Sequence, residues 1–518
     1  MENTHMKYRL IKSLLVVIGS LMFLACGEKR TWPEKESIQF EQVVVPLIQG
    51  RESPIGHIRM DLESGDELKE IRIKAEGDAI EGITVALLSQ DGKEKKGLGE
   101  TRQGEVFWTV ALDRQLESGA HLFEIGLMVK ETASLTEKVS FEVVYVEMSS
   151  GKFRPSGQEY QQSYRLAKAL RHHGDDGVHS FRIPGLVTSN NGTLLAVYDV
   201  RRDDSSDLQG DIDVGLSRST DGGESWEPMK MIMDMGEWGG LPENQNGIGD
   251  PAILVDEETG TIWVAALWLH GKPGTMAWNS SGEGMSPEET GQLMLVKSED
   301  DGVTWSDPIN VTGQMKDPSW RLFFNGPGRG ITMRDGTLVF AAQFKDKENI
   351  PHSTVIYSKD RGETWEVGTG ARSKTTEAQV VELQDGSLLL NMRDDRGGAR
   401  AVMVTKDMGK TWEEHPTNRA ALIEPVCMAS IISNPHTDDP VLFFSNPAAT
   451  DGRYNITIKA SLDDGQSWPE AHQVLLDQKR GWGYSCLTMI DEDHLGILYE
   501  SSQAHMTFQI IRVDEIIK

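Results

Sequence analysis

The chain is 518 residues long with 38% apolar and 25% charged residues, enough to bury a sizeable core and too long for one small domain. Lys and Arg total 52 against 80 Asp and Glu, a net charge of −28 that excludes a phosphate-tracking nucleic-acid binder with a basic face. Three cysteines exclude a disulfide framework and their spacing fits no zinc site, while 52 Gly, 20 Pro and 13 Trp give the texture of many strands joined by tight turns.

At the N-terminus, Lys7, Arg9 and Lys12 precede the apolar run Leu14 to Ala25. About 20 residues are needed to span a bilayer, so a basic stretch followed by this shorter run reads as a secretory signal. The pair Ala25–Cys26 resembles the end of a bacterial lipoprotein signal. That resemblance implies a signal over 1–26, lipidation at Cys26, and an exported cell-envelope protein. It would face the periplasm or the outer-membrane surface and touch the membrane only through its lipid anchor. From 31 to 150, short runs alternate apolar and polar residues (Ile71-Arg-Ile-Lys, Ile83-Thr-Val-Ala, Phe141-Glu-Val-Val) and predict a β-sandwich. A polar connector over 151–174 follows, in which Tyr160 to Arg171 is expected as a short helix.

The remainder, 175–518, repeats itself. Ser/Thr-x-Asp-x-Gly-x-x-Trp occurs five times, with its Asp at 221, 300, 360, 407 and 463, or 79, 60, 47 and 56 residues apart. Asp and Gly are expected to make a tight turn with φ > 0, and Trp to lock each hairpin onto its neighbour. These five segments resemble the Asp boxes of the sialidase-type β-propeller. The resemblance implies an all-β fold with six blades of four strands over 175–518, one of them without a recognisable box. The box is structural and also occurs in other propellers, so function has to come from the site.

Phe181-Arg182-Ile183-Pro184 resembles the Phe-Arg-Ile-Pro signature of sialidases and lies before the first box, where that family has it. A terminal sialic acid carries a carboxylate on its anomeric carbon. An arginine fork pairs with it bidentately and stays charged at any working pH. Positions matching the family's three arginines are Arg182, Arg393 and Arg453, and Glu500 matches the glutamate that braces the first of them. A carboxylate nucleophile would face the substrate's own charge, about 4 kcal/mol of repulsion at about 4 Å and an effective dielectric of about 20. A neutral Tyr avoids this if a base takes its proton, and sialidases are the known tyrosine exception among glycosidases. Gly483-Tyr484-Ser485 and Thr376-Glu377-Ala378-Gln379 match the segments that carry the nucleophile and its base, which implies Tyr484 and Glu377 for those roles. Free phenol has a pKa near ~10, so a base is required.

The polar loop from Arg201 to Asp213 is expected to carry the acid/base: Asp207 is the best match, with Asp203 and Asp204 as competitors, and Arg201 is expected to contact the substrate. The same loop invites a calcium reading but lacks the Gly and distal Glu of an EF-hand loop. Gly249-Asp250-Pro251 resembles a segment at the rim of the family's site, with no chemical role assigned to Asp250. Trp268 is a candidate for an apolar N-acetyl pocket or for core packing, and Cys486 reads as a buried small residue. The resemblance implies a retaining exo-α-sialidase acting on sialylated glycans of glycoproteins, glycolipids or oligosaccharides, with no metal or organic cofactor. It also implies that residues 31–150 are similar to carbohydrate-binding domains of related enzymes. The alternatives are a trans-sialidase with the same machinery and a non-catalytic sialic-acid-binding propeller; retention of Tyr484, Glu377 and Asp207 together weighs against the latter.

Overall fold

A computed structural model of the protein describes residues 32–89, 95–98, 100–103, 107–157 and 163–518. The expected signal, with Cys26, lies outside the described residues. Among those described, strands dominate and each helix is a single turn.

The N-terminal region is a sandwich. One layer holds Glu34–Gln42, Glu52–Leu62, Gly119–Val129, Ile80–Leu88 and Lys95–Leu98 in that order, and the other holds Lys138–Met148, Asp66–Glu76, Phe107–Leu116 and Glu100–Gln103. Alternation does the work: Ile71 and Ile73 point inward while Arg72 and Lys74 are half-buried on the other face. The strand Gly151–Ser156 joins the layers, antiparallel to Lys138–Met148 and parallel to Glu34–Gln42.

Blades 1 to 5 are separate sheets whose first strands are Ser180–Thr188, Ile248–Val255, Leu322–Asn325, Thr375–Glu382 and Ser430–Ser433. These first strands, with Ser485–Met489 of blade 6, pack on their neighbours around the axis, except that blade 4's first strand meets blade 3 through Leu338–Lys345 and Pro351–Ser358. Blade 6 continues with His494–Tyr499 and Met506–Arg512, and its fourth strand is Tyr164–Arg171, from the opposite end of the propeller sequence. The short helix expected over 160–171 is therefore corrected: its described part is an edge strand that closes the ring and also pairs with Lys138–Met148 of the sandwich. This explains the missing sixth box. Each box turns the chain from the third to the fourth strand of its blade, and blade 6 has no such turn because its fourth strand comes from elsewhere in the chain.

The five boxes share one hydrogen-bond scheme. In the first, the Gly223 N–H donates to Ser219 Oγ (2.9 Å), Ser219 Oγ donates to Asp221 Oδ1 (2.8 Å), and Asp221 also accepts from the Ser225 N–H and hydroxyl (2.9 and 2.5 Å). The left-handed residues are the one after the Asp and the Gly, for example Asp301 (φ 61°) and Gly302 (φ 81°), so the Asp itself is the acceptor and not part of the left-handed pair expected for it. A Cβ on Gly362 would stand 2.3 Å from the Trp263 ring of the preceding blade, which is the close approach that requires glycine there.

Candidate active site

The loops joining the strands of each blade bring residues from distant parts of the sequence to one end of the axis. They enclose a cavity of about 320 Å³ lined by Arg182, Asp207, Asp250, Glu377, Arg393, Arg453 and Tyr484 on its polar side. Its apolar wall holds Leu208, Leu267, Met276, Trp278, Leu322 and Phe324.

Tyr484 stands just before the first strand of blade 6, and Glu377 lies on the first strand of blade 4. The Tyr484 hydroxyl donates to Glu377 Oε1 in a short hydrogen bond. Arg393 Nη1 bridges the pair, donating to Glu377 Oε2 (2.6 Å) and to Tyr484 Oη (3.0 Å). Burial, reinforced by the Glu377 charge, pushes the phenol well above its ordinary value, while Arg393 and Arg453 pull the other way. The resting side chain is therefore a protonated phenol in contact with a base.

Glu500, only 1% exposed, accepts from Arg182 Nε (2.9 Å) and Nη2 (3.3 Å) and from the backbone N–H groups of Ile183 and Tyr484 (3.1 Å each). Ile183 is a β-branched residue at φ 62°, a conformation sustained here by that carboxylate bond and by packing on Cys427, Met428 and Tyr484. Arg182 lies 4.9 Å over the Trp482 ring, and Arg453 is steadied by the Trp482 carbonyl (Nη1 to O, 3.0 Å). Three guanidiniums thus face one cavity in a strongly acidic protein.

Asp207 projects from the loop between the second and third strands of blade 1 with its side chain 58% exposed. Burial works to raise its carboxyl, but Arg201 and Arg182 together hold it below the ordinary value. Asp203 and Asp204 do not line the cavity. Arg201, expected to contact the substrate, ends the strand before the loop that presents Asp207. It is 1% exposed, outside the cavity lining, and donates to Asp199 Oδ2 (2.8 Å), Asp207 Oδ1 (2.8 Å) and the Ser205 carbonyl (2.7 Å). Its nitrogens are thus occupied in fixing the loop that presents Asp207.

Several lining residues carry no role in the sequence reading. Asp250, held at φ 56° with its N–H on Asp199 Oδ1 (2.8 Å), offers the cavity a carboxyl that burial, with Asp199 and Asp207 adding, raises well above its ordinary value. Its signal was the Gly249-Asp250-Pro251 segment, where Gly249 lets the backbone approach Asp199. Gln343 and Thr376 line the cavity with Gln343 Nε2 and Oε1 and Thr376 Oγ1 buried without a protein partner. Trp268 packs in the core against Trp238, 2% exposed; the cavity's tryptophan is Trp278. Cys486 is fully buried, its Sγ accepting from the Leu186 N–H (3.2 Å). Outside the cavity, Asp211, Asp213 and Glu243 come close enough to share a cation, but Arg202 already pairs with Asp213 at 2.6 Å and with Asp211 at 3.3 Å.

The BNR repeat-like domain family matches residues 183–500. A sialidase of Bacteroides fragilis is 54% identical over 411 residues, covering 78% of this chain and 76% of its own. Among solved structures, a Hadza microbial sialidase is 44% identical, with a TM-score of 0.88 over 92% of this chain and all of its own. An intramolecular trans-sialidase from Ruminococcus gnavus, 21% identical with a TM-score of 0.57, covers 67% of this chain and 98% of its own, a likeness of fold.

Proposed function

The chain belongs to the bacterial sialidase family, a group of glycoside hydrolases, and we propose that it releases terminal sialic acid from glycoconjugates with retention of configuration through a covalent intermediate on Tyr484. The observation that carries this reading is the hydrogen-bonded set Tyr484–Glu377–Arg393 at the floor of a three-arginine cavity.

The substrate carboxylate pairs with Arg182, Arg393 and Arg453, which orients the anomeric carbon over Tyr484. Attack and proton loss are coupled: the phenol is too weak an acid to ionise alone here, so its proton passes to Glu377 as the bond to carbon forms. Arg393 touches both atoms and stabilises whichever holds the negative charge. Asp207 protonates the departing oxygen and later takes a proton from the incoming water. Its arginine neighbours keep it ionised in the empty site, and a bound carboxylate, by neutralising part of their charge, raises its proton affinity when an acid is needed.

Turnover of an aryl α-sialoside, with the first product's anomer followed by NMR, tests the mechanism. Initial retention with Tyr484→Phe nearly inactive is expected, and Asp207→Ala should lose less on the aryl substrate than on natural sialosides, whose leaving groups need the proton. Initial inversion, or a fully active Tyr484→Phe, overturns the tyrosyl route. Product analysis separates hydrolysis from transfer to an acceptor or to the sugar's own hydroxyl.

We further propose that the chain is exported and held at the cell envelope by acyl chains on Cys26. Labelling with a clickable fatty acid should mark the wild type and not Cys26→Ser; equal labelling of both overturns the anchor.

A further inference from the structure

A second concavity, shallow and open, lies on the same end of the propeller and is lined by Tyr454, Gln478, Lys479, Arg480 and Ser502. It adjoins the catalytic cavity through the chain itself. Tyr454 follows Arg453, and Arg480 opens the segment Arg480-Gly481-Trp482-Gly483-Tyr484 that ends at the nucleophile. The Gly481 N–H donates to the Arg453 carbonyl (3.1 Å), tying the two stretches together. Four residue steps place Arg480 at most about 14 Å from Tyr484 along the chain, within reach of the sugar next to the one being cleaved.

Arg480 is exposed and stacks on an aromatic ring. Its guanidinium lies over the Tyr454 ring at 5.2 Å, alongside Gly452. Among the described residues no carboxylate or hydrogen-bond acceptor engages it; the nearby Asp451 accepts instead from the Tyr454 hydroxyl (2.6 Å). Lys479 beside it feels Glu124 and Asp477, yet among the described residues its ammonium makes no close ion pair: Glu124 is taken by Lys95 (3.0 Å), and Asp477 accepts from Ser502 and the Lys479 backbone N–H. Most other arginines around the cavity are satisfied by protein carboxylates or carbonyls. In a chain with 28 excess negative charges, an exposed arginine stacked on a ring and without an acceptor among the described residues is out of keeping with the surface around it.

We propose that this concavity is a rim subsite for an anionic group on the penultimate sugar, with Arg480 and Lys479 as its cations and the Tyr454 ring keeping Arg480 in place. The inference rests on the sialidase reading and adds substrate preference to it: glycans whose second residue is acidic, by the carboxylate of an internal sialic acid or by a sulfate ester, are favoured over those with a neutral one.

The test compares kcat/KM on a lactose-linked sialoside, its 6-sulfated derivative and an α2,8-linked disialyl lactose, for wild type, Arg480→Gln and Lys479→Gln/Arg480→Gln. Expected is an unchanged kcat/KM on the neutral substrate, which also reports that each variant folds. On at least one acidic substrate a three- to tenfold loss is expected, carried by KM, partly restored in Arg480→Lys and diminished at high salt. The arm that responds identifies carboxylate or sulfate as the recognised group. If all three substrates keep the same ratio between wild type and double variant, the subsite is overturned while the sialidase reading stands. If the wild type turns over none of them, the sialidase reading fails and this inference fails with it.

Discussion

Glu500 shows how much of the site hangs on single side chains. Its two oxygens take four N–H donors, two from Arg182 and one each from the backbone of Ile183 and Tyr484, so one buried carboxylate sets Arg182 against Tyr484. Glu500→Gln turns one of these acceptors into a donor and leaves Arg182 buried without its counter-charge. Breaking a buried pair typically costs about 3–5 kcal/mol, so both a lower Tm and a KM raised at least tenfold are expected; thermal unfolding and steady-state kinetics check the two halves. Gln343→Leu should act on binding alone, raising KM by several-fold at unchanged Tm, because its amide has no protein partner to lose. A further expectation concerns Asp213, whose carboxyl burial lifts to about 7, with Asp234 adding and Arg202 opposing. Its folded value lies above the unfolded one near ~3.9, so its favourable contribution is complete below that lower value and is lost as pH rises through about 7. Asp213→Asn should therefore raise Tm by a few degrees at pH 8 and change it little at pH 4, as paired melts would reveal. At this scale the sequence was legible where residue type is dictated by charge chemistry, as with Arg182, Arg393, Arg453, Tyr484 and Glu377. It was not legible where the role depends on which part of the fold meets the cavity. Gln343 and Trp278 look like any other Gln and Trp.

The box is the element on which the propeller is assembled. In each copy an Asp caps a turn whose next residue is left-handed, and hydrogen bonds from the turn hold every box carboxyl below its ordinary value, for Asp300 and Asp407 at about 2. With depressed folded values, these carboxylates contribute stability that is present above the unfolded value and lost as pH falls through about 2. Asp463→Ala removes the acceptor for the Ser467 N–H and hydroxyl and for Ser461 Oγ (2.6–2.8 Å). Since the box lies away from the cavity, we expect a loss of about 1–3 kcal/mol in stability with kcat/KM unaltered, measured by denaturant unfolding beside a rate assay. The repeat was readable because its turn chemistry is local. Tyr164–Arg171 was not, for the opposite reason: Leu166 and Leu170 sit four residues apart among Ala, Arg and Lys, a helical pattern, and what makes the segment a strand is a partner more than 300 residues away, Met506–Arg512.

At the scale of the whole molecule, that same strand makes sandwich and propeller one body. It pairs with the propeller's last strand along one edge and with Lys138–Met148 at the other. A continuous hydrophobic cluster runs from Ile38, Ile58 and Phe141 in the sandwich through Leu166 to Phe181, Leu186 and Phe508 in blades 1 and 6. Arg182 follows Phe181 directly, so the part of the cavity lined by Arg182 is tied to the N-terminal region through one residue. Polar contacts run the same way: Glu224 within the first box accepts from Ser134 Oγ (2.7 Å), and Gln478 exchanges two hydrogen bonds with Val44. A flexibly tethered binding module would show a small polar interface and independent unfolding. A shared apolar core instead couples the two parts, and calorimetry on the protein should give a single transition. Removal of residues 32–157 should lower the propeller's Tm and reduce soluble yield, because Leu166, Leu170 and Val178 lose the apolar partners that now cover them. Two well-separated transitions, or a truncated propeller as stable and active as the full chain, would return the N-terminal region to the role of an appended module. A single transition means that the sandwich is part of the scaffold holding Arg182 opposite Tyr484, so any glycan-binding role it has is added to a structural one.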